Sequence, residues 1–126
     1  MTTFSLPALP KKIAVVDNDS DNLEMMTCLL SDAGHTVVAA HGHAEFLEVF
    51  NASPLPDLIL LDIRMPERDG FWIAEYVKSK FDIPIIFMTA HHHPKYQLYA
   101  GAAAYIVKPL DPELLFSTID KALAAR

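Results

Sequence analysis

A single cysteine in 126 residues rules out a disulfide-stapled fold, because Cys28 has no internal partner. It also stands in no CxxC or zinc-type spacing. Beside Met26 and Leu29 on a predicted helix, it is expected to pack as a small apolar side chain. Charge is scarce as well: charged residues make up 21% of the chain and hydrophobic ones 52%, which excludes a disordered polymer. Even so, no apolar run reaches the roughly 18 residues that a membrane span needs. Met1 to Pro10 lacks a basic stretch ahead of an apolar core, so a secretory signal is not expected. With Pro7 and Pro10, residues 1–10 read as a flexible leader, and the expected location is the cytoplasm with no membrane partner. Basic clusters are missing too. Ten Lys and Arg against sixteen Asp and Glu leave a net charge of −6, so direct nucleic-acid binding is not expected. No internal repeat and no low-complexity linker divides the chain, and residues 11–126 fit one domain.

What the chain does contain is a regular alternation of short apolar strands and helical patterns. Lys12 to Asp17 reads as the first strand. A helix follows with Leu23, Met26, Leu29, Leu30 and Ala33 on one face, ended by Gly34 as a left-handed cap. Met25 and Met26 are both expected to pack from this helix. Strands are predicted over Thr36 to Ala40, Leu58 to Asp62, Ile83 to Met88 and Ala104 to Val107. Helices are predicted over Ala44 to Phe50, Phe71 to Lys80, a weaker stretch Pro94 to Ala100, and a last one capped by Asp111 with Pro112 at its first position. Five such units predict an α/β fold: a doubly wound, five-stranded parallel sheet of order 2-1-3-4-5, flavodoxin-like, with helices on both faces. Phe71 and Trp72, opening the third helix, are read as core packing.

Asp62 follows the run Leu58-Ile59-Leu60-Leu61, which has the composition of a strand buried on both faces. Ligands of open α/β sheets bind beyond the carboxyl ends of the strands, so this carboxylate is placed for chemistry. In the 2-1-3-4-5 order, strands one and three are neighbours, which brings Asp17 and Asn18 to the same edge as Asp62. Clustered hard oxygens suit magnesium (Mg2+), which takes few carboxylates and keeps several waters. Thr89 and Lys108 end strands four and five at that edge. A hydroxyl and an ammonium beside a carboxylate suit a transferred phosphoryl group, where the protein supplies positioning and charge stabilisation.

These segments together resemble the receiver domain of two-component response regulators, the CheY-like family. The resemblance rests on the acids ending strand one, on Leu61-Asp62-Ile63-Arg64-Met65-Pro66 with Asp69-Gly70, on Thr89-Ala90 and on Tyr105-Ile106-Val107-Lys108-Pro109. It covers about Lys11 to Ala124. It implies that Asp62 accepts a phosphoryl group from the phosphohistidine of a histidine kinase or phosphotransfer protein. It further implies Asp17, Asn18, Asp62 and the Arg64 backbone carbonyl at magnesium, Thr89 on a phosphoryl oxygen and Lys108 paired with the phosphate. Tyr105 would be the aromatic whose rotamer follows Thr89 in the switch. Such a domain is a signalling module rather than an enzyme, and a second copy of the chain or a downstream protein is its expected partner.

Two departures carry alternatives. Asn18 stands where the family has a second acid, which removes one charge from the metal site and predicts weaker magnesium binding and slower phosphorylation and dephosphorylation. A pseudo-receiver, acting as a phosphorylation-independent interaction module, is the competing reading. Asp19 is not expected to substitute, since successive residues leaving a strand point in different directions. The segment between Thr89 and Lys108 predicts a shortened fourth helix, which puts output through the face of the fourth helix, fifth strand and last helix in doubt. His91, His92 and His93 cannot all aim at one ion from regular structure and read as solvated loop residues near the cleft. Asp17-x-Asp19 also resembles the nucleophile motif of haloacid-dehalogenase-type phosphatases, but Ser20-Asp21 does not continue it and no substrate cap follows.

Overall fold

In the computed structural model, which describes residues 11–52, 54–90 and 101–125, the strands are β1 (Lys12–Val16), β2 (Thr36–Ala40), β3 (Leu58–Asp62), β4 (Ile85–Thr89) and β5 (Ala104–Val107). The helices are α1 (Ser20–Asp32), α2 (His43–Asn51), α3 (Gly70–Lys78) and α4 (Pro112–Ala124). All strand pairs are parallel and the order is β2-β1-β3-β4-β5, as the alternation predicts. The leader, His91 to His93 and the stretch Pro94 to Ala100, expected to form a shortened fourth helix, lie outside the described residues. Among the described residues no helix is long and apolar enough to cross a membrane.

Period-two alternation divides the core between the two faces of the sheet. Ile13, Val15, Leu58, Leu60, Ile86, Met88 and Ile106 pack with Leu23, Met26 and Leu30 of α1 and with Leu115 and Ile119 of α4. Ala14, Val16, Ile59, Leu61, Ile85 and Phe87 pack with Phe46 and Phe50 of α2 and with Ile73, Ala74 and Val77 of α3. Every residue of β3 is buried, which is why its sequence is a continuous apolar run rather than an alternating one.

The caps follow local chemistry. Asp19 accepts from the amides of Asp21 and Asn22 to start α1, Asp69 accepts from Trp72 N to start α3, and Asp111 accepts from Leu114 N to start α4. Gly34, with φ 99°, lies just past the end of α1 in the left-handed region expected of it.

Several expectations are corrected. Cys28 is exposed, not packed. It falls two residues from both Met26 and Leu30, and therefore on the far side of the helix from the buried face. Met25 is exposed for the same reason, while Met26 is wholly buried. β4 begins at Ile85 rather than Ile83, because Pro84 has no amide to donate to a ladder. β1 stops at Val16, although Asp17 N still donates to Ala40 O at 3.0 Å. α3 begins at Gly70 and ends at Lys78, two residues before the expected Lys80. Trp72 and Phe71, by contrast, pack against the α2/α3 side of the core as expected, each half-buried. Phe71 meets the Phe87 ring at 5.0 Å, and Trp72 stacks on the Tyr76 ring and has the Arg68 guanidinium over its own ring.

Candidate functional site

The carboxyl ends of β1, β3 and β5 converge on three side chains. Lys108 Nζ lies 2.9 Å from Asp17 Oδ2 and 3.5 Å from Asp62 Oδ2. Both carboxylates are buried, Asp17 wholly so and Asp62 with 5% exposure. Strand parity explains the meeting. Asp17 continues the alternation of Ile13 and Val15, Asp62 that of Leu58 and Leu60, and Lys108 that of Ile106, all on the α1/α4 side of the sheet. Thr89 and Tyr105 fall on the opposite parity with Phe87. Thr89 is buried at the end of β4, its carbonyl accepting from Lys108 N at 2.7 Å, and the Tyr105 ring stacks on Phe87 at 5.4 Å. The Lys108–Pro109 peptide is cis.

Asp17 is the most heavily hydrogen-bonded member. Its Oδ1 accepts from Asp19 N at 2.9 Å, and its Oδ2 accepts from Asn22 Nδ2 at 2.5 Å as well as from Lys108. Burial pushes Asp17 upward, but the hydrogen bonds from Lys108, the Asp19 amide and Asn22 together hold it below the usual 3.8. For Asp62, burial and then the charge of Asp17 outweigh the pull of Lys108 and push the carboxyl up to about 6. One ammonium does not compensate two buried carboxylates. The donor set therefore fits a small hard cation: two carboxylates in a cluster short of positive charge. Among the described residues no group of three or more His, Cys, Asp or Glu forms a metal cluster, so a cation here would rely on few protein side chains.

The other expected ligands are placed differently. Asn18 is exposed and lines a cleft of about 330 Å³ with His41, His43, Glu45, Pro66 and Glu67. It sits one residue past Asp17 and so on the opposite parity. Asp19 is taken up in capping α1. Arg64 is exposed on the loop leaving β3. That loop turns tightly at Glu67, whose φ of 69° is in the left-handed region, and Arg68 N donates to Pro66 O at 2.8 Å.

Two site residues escaped the sequence reading. Asn22 had a legible signal, a polar residue one position before Leu23 and four before Met26, on the face of α1 that is otherwise apolar. Gly70 was noted as part of a motif but not for its contact. A Cβ there would lie 2.4 Å from the Asp62 carbonyl oxygen, and its amide donates to Ile63 O at 2.8 Å. The start of α3 thus rests directly on the backbone of Asp62, and only glycine fits. Gly70→Ala is expected to cost about 1–3 kcal/mol, the usual range for overpacking. The check is urea denaturation, and a variant as stable as the parent would show that the contact is soft.

The family model for the response regulator receiver domain matches residues 13–120. Over 118 residues the chain is 35% identical to the transcriptional regulatory protein GlrR of Escherichia coli (strain K12), covering 90% of this chain and 26% of that protein. Over 112 residues it is 36% identical to the probable transcriptional regulator ycf27 of Cyanophora paradoxa, covering 86% of this chain and 46% of that one. The chain therefore spans less than half the length of either relative. Among solved structures, it superposes with a TM-score of 0.82 on a CheY-like receiver domain protein from Methanospirillum hungatei JF-1, at 28% identity over 93% of this chain and 96% of the other. The response regulator TrrA of Thermotoga maritima, solved in complex with Mg(2+)-BeF, gives 0.79 at 32% identity over 89% and 98% of the two chains. A match running from β1 into the last helix, on a sheet of the same order, leaves one conclusion: this chain belongs to the response regulator receiver domain family of two-component signalling.

Proposed function

We propose that this receiver is a working phosphoacceptor and that Asp62 is the residue modified. The observation that carries the reading is the buried Asp62 carboxylate at the end of β3, 3.5 Å from the Lys108 ammonium that also holds Asp17. An Asp62 oxygen attacks the phosphorus of a phosphohistidine on a kinase or phosphotransfer protein. The N–P bond breaks, its electron pair stays on the imidazole, and an acyl phosphate forms. Attack needs the ionised carboxylate, so the rate rises with pH through the range in which Asp62 loses its proton. Lys108 lies where it can follow the new charge from carboxylate to phosphoryl oxygen. Thr89, at the end of the neighbouring strand, supplies a hydroxyl to another oxygen, and Tyr105 shares its side of the sheet for the switch.

Asp17, Asp62, Asn18 and the Arg64 carbonyl are the residues that would hold magnesium in this reading. Bound there, the ion would neutralise charge developing on the transferred oxygens. The switched surface includes Val107 on β5 and Leu114 on α4, both exposed apolar side chains, which would meet a downstream protein or a second copy. The domain would work in the cytoplasm beside the ATP that feeds a histidine kinase. With a net charge of −6, this segment is not the one that would touch DNA in a longer regulator.

Asn18, neutral, exposed and aligned with the His41–Glu45 cleft, favours the second reading, a pseudo-receiver that ignores phosphodonors. Intact mass after incubation with a small phosphodonor, with and without magnesium, separates the two. A gain of one phosphoryl group that needs magnesium and vanishes in Asp62→Asn is expected. No gain, with a control receiver modified in parallel, would leave the interaction module.

A further inference from the structure

We infer that Asn22 is a positioning residue for the metal site: it fixes Asp17 so that a single lone pair of Oδ1 is offered to a cation, and it keeps Asp17 in place when Lys108 moves to the phosphoryl group. The inference rests on the phosphoacceptor reading and assigns a role to a residue outside the acid, hydroxyl and ammonium set.

The argument is a count of lone pairs. A carboxylate has about four acceptor sites, two on each oxygen. On Asp17, Oδ2 takes two donors, Asn22 Nδ2 at 2.5 Å and Lys108 Nζ at 2.9 Å, and Oδ1 takes one, Asp19 N at 2.9 Å. One site on Oδ1 is left for a cation. The orientation of the Asn22 amide follows from chemistry, because turning it over would set its oxygen against a carboxylate oxygen. Its placement is fixed by the helix: Asp19 accepts from Asn22 N at 3.3 Å, and the Asn22 amide also lies 3.5 Å from Sδ of the wholly buried Met26.

The phosphoryl group makes this arrangement matter. Lys108 is shared between Asp17 and Asp62, and new charge on Asp62 draws it away from Asp17. Asp17 is wholly buried and cannot turn to water for a replacement. Among the described residues, Asn22 is then the side chain that still donates to Oδ2. Asn18 is neutral and Asp19 is occupied as a cap, so no other strand-one carboxylate can compensate if Asp17 rotates.

Calorimetric titration of magnesium chloride into the metal-free chain tests this without any phosphodonor. Asn22→Leu keeps the shape but removes the donor, and magnesium affinity is expected to fall about tenfold, the scale of one charge-assisted hydrogen bond. Asn22→Gln, which keeps an amide, should recover part of that loss. Asn22→Ala is the second donor-less variant should leucine not fold. Thr27→Val, which removes the bond from Thr27 to Leu23 O on the same helix, controls for general loosening and should leave affinity unchanged. Equal or tighter binding by Asn22→Leu and Asn22→Ala would overturn the inference, as would an equal loss in Thr27→Val. Absence of magnesium binding by the parent chain would instead count against the phosphoacceptor reading itself.

Discussion

Asp62→Asn is expected to make the metal-free domain more stable near pH 7, by up to about 3 kcal/mol or of order 10 °C in melting temperature. The carboxyl that accepts the phosphoryl group is a folding liability. Burial and the Asp17 charge raise it from 3.8 to about 6 in the folded state. Between those values the unfolded chain has released the proton and the folded chain still holds it, so the folded state binds more protons and stability falls as pH rises. The penalty is absent below about pH 4 and complete above about pH 6. Asparagine removes the charge and keeps the shape, so the variant should show neither the penalty nor its pH dependence. Glu45, held below 4.5 chiefly by its hydrogen bond with His41, acts in the opposite sense, stabilising above pH 4.5 and losing that contribution only as pH falls further. Asp17, also lowered, likewise changes only at the acid end. Urea midpoints with chelator at about pH 5 and about pH 7 decide the matter. A parent no more stable at the lower pH, or an Asp62→Asn variant no more stable than the parent at the higher one, would sink the account. Magnesium should erase most of the penalty in the parent and little in the variant.

That liability is also why the site was legible. A carboxylate directly after Leu58-Ile59-Leu60-Leu61 violates the pattern of its own strand, and a sequence tolerates such a break where chemistry requires it. The sheet order followed from the alternation of elements, and with it the meeting of Asp17 and Asp62 across β1 and β3. Lys108 and Thr89 gained meaning only as members of the set, since a lysine or threonine after a strand is ordinary by itself.

What the sequence hid is mostly a matter of which side a residue takes. Asn18 follows Asp17 directly, but one step along extended backbone reverses parity, so it is exposed and lines the cleft with His41 and Glu45. Cys28 and Met25 were assigned to the core by composition, while the buried face of α1 is set by Leu23, Met26 and Leu30. Asn22 announced itself in the other direction, as a polar residue in an apolar register, but its partner Asp17 lies just past the end of β1, and the path of the intervening turn decides whether they meet. The close approach of Gly70 to Asp62 O is likewise a distance between a helix start and a strand end, which no local pattern encodes.

Lys108→Met is expected to have the opposite effect from Asp62→Asn, and one that depends steeply on pH. Removing one partner of a buried ion pair costs about 3–5 kcal/mol when the remaining charge has no escape. Here there is one. Without the ammonium, Asp62 faces burial and the Asp17 charge unopposed, and its carboxyl moves further above its present position near 6. Near pH 5 it takes a proton, donates a hydrogen bond to Asp17 and leaves a single carboxylate, still held by Asn22 and the Asp19 amide. The loss there should be about 1 kcal/mol, that of an ordinary hydrogen bond. Near pH 8, above both the unfolded value and most of the raised range, keeping the pair folded costs about 3 kcal/mol or more. The same proton disables the chemistry, because a protonated Asp62 cannot attack phosphorus, so phosphorylation should fall near neutral pH and recover as pH rises. Stability and reactivity thus move in opposite directions with pH in this variant. Adding Asp62→Asn should restore most of the lost stability and none of the phosphorylation, the signature of energetic coupling between neighbours. Equal destabilisation of Lys108→Met at pH 5 and pH 8 would mean that Lys108 acts through packing rather than through the charge shared by Asp17 and Asp62.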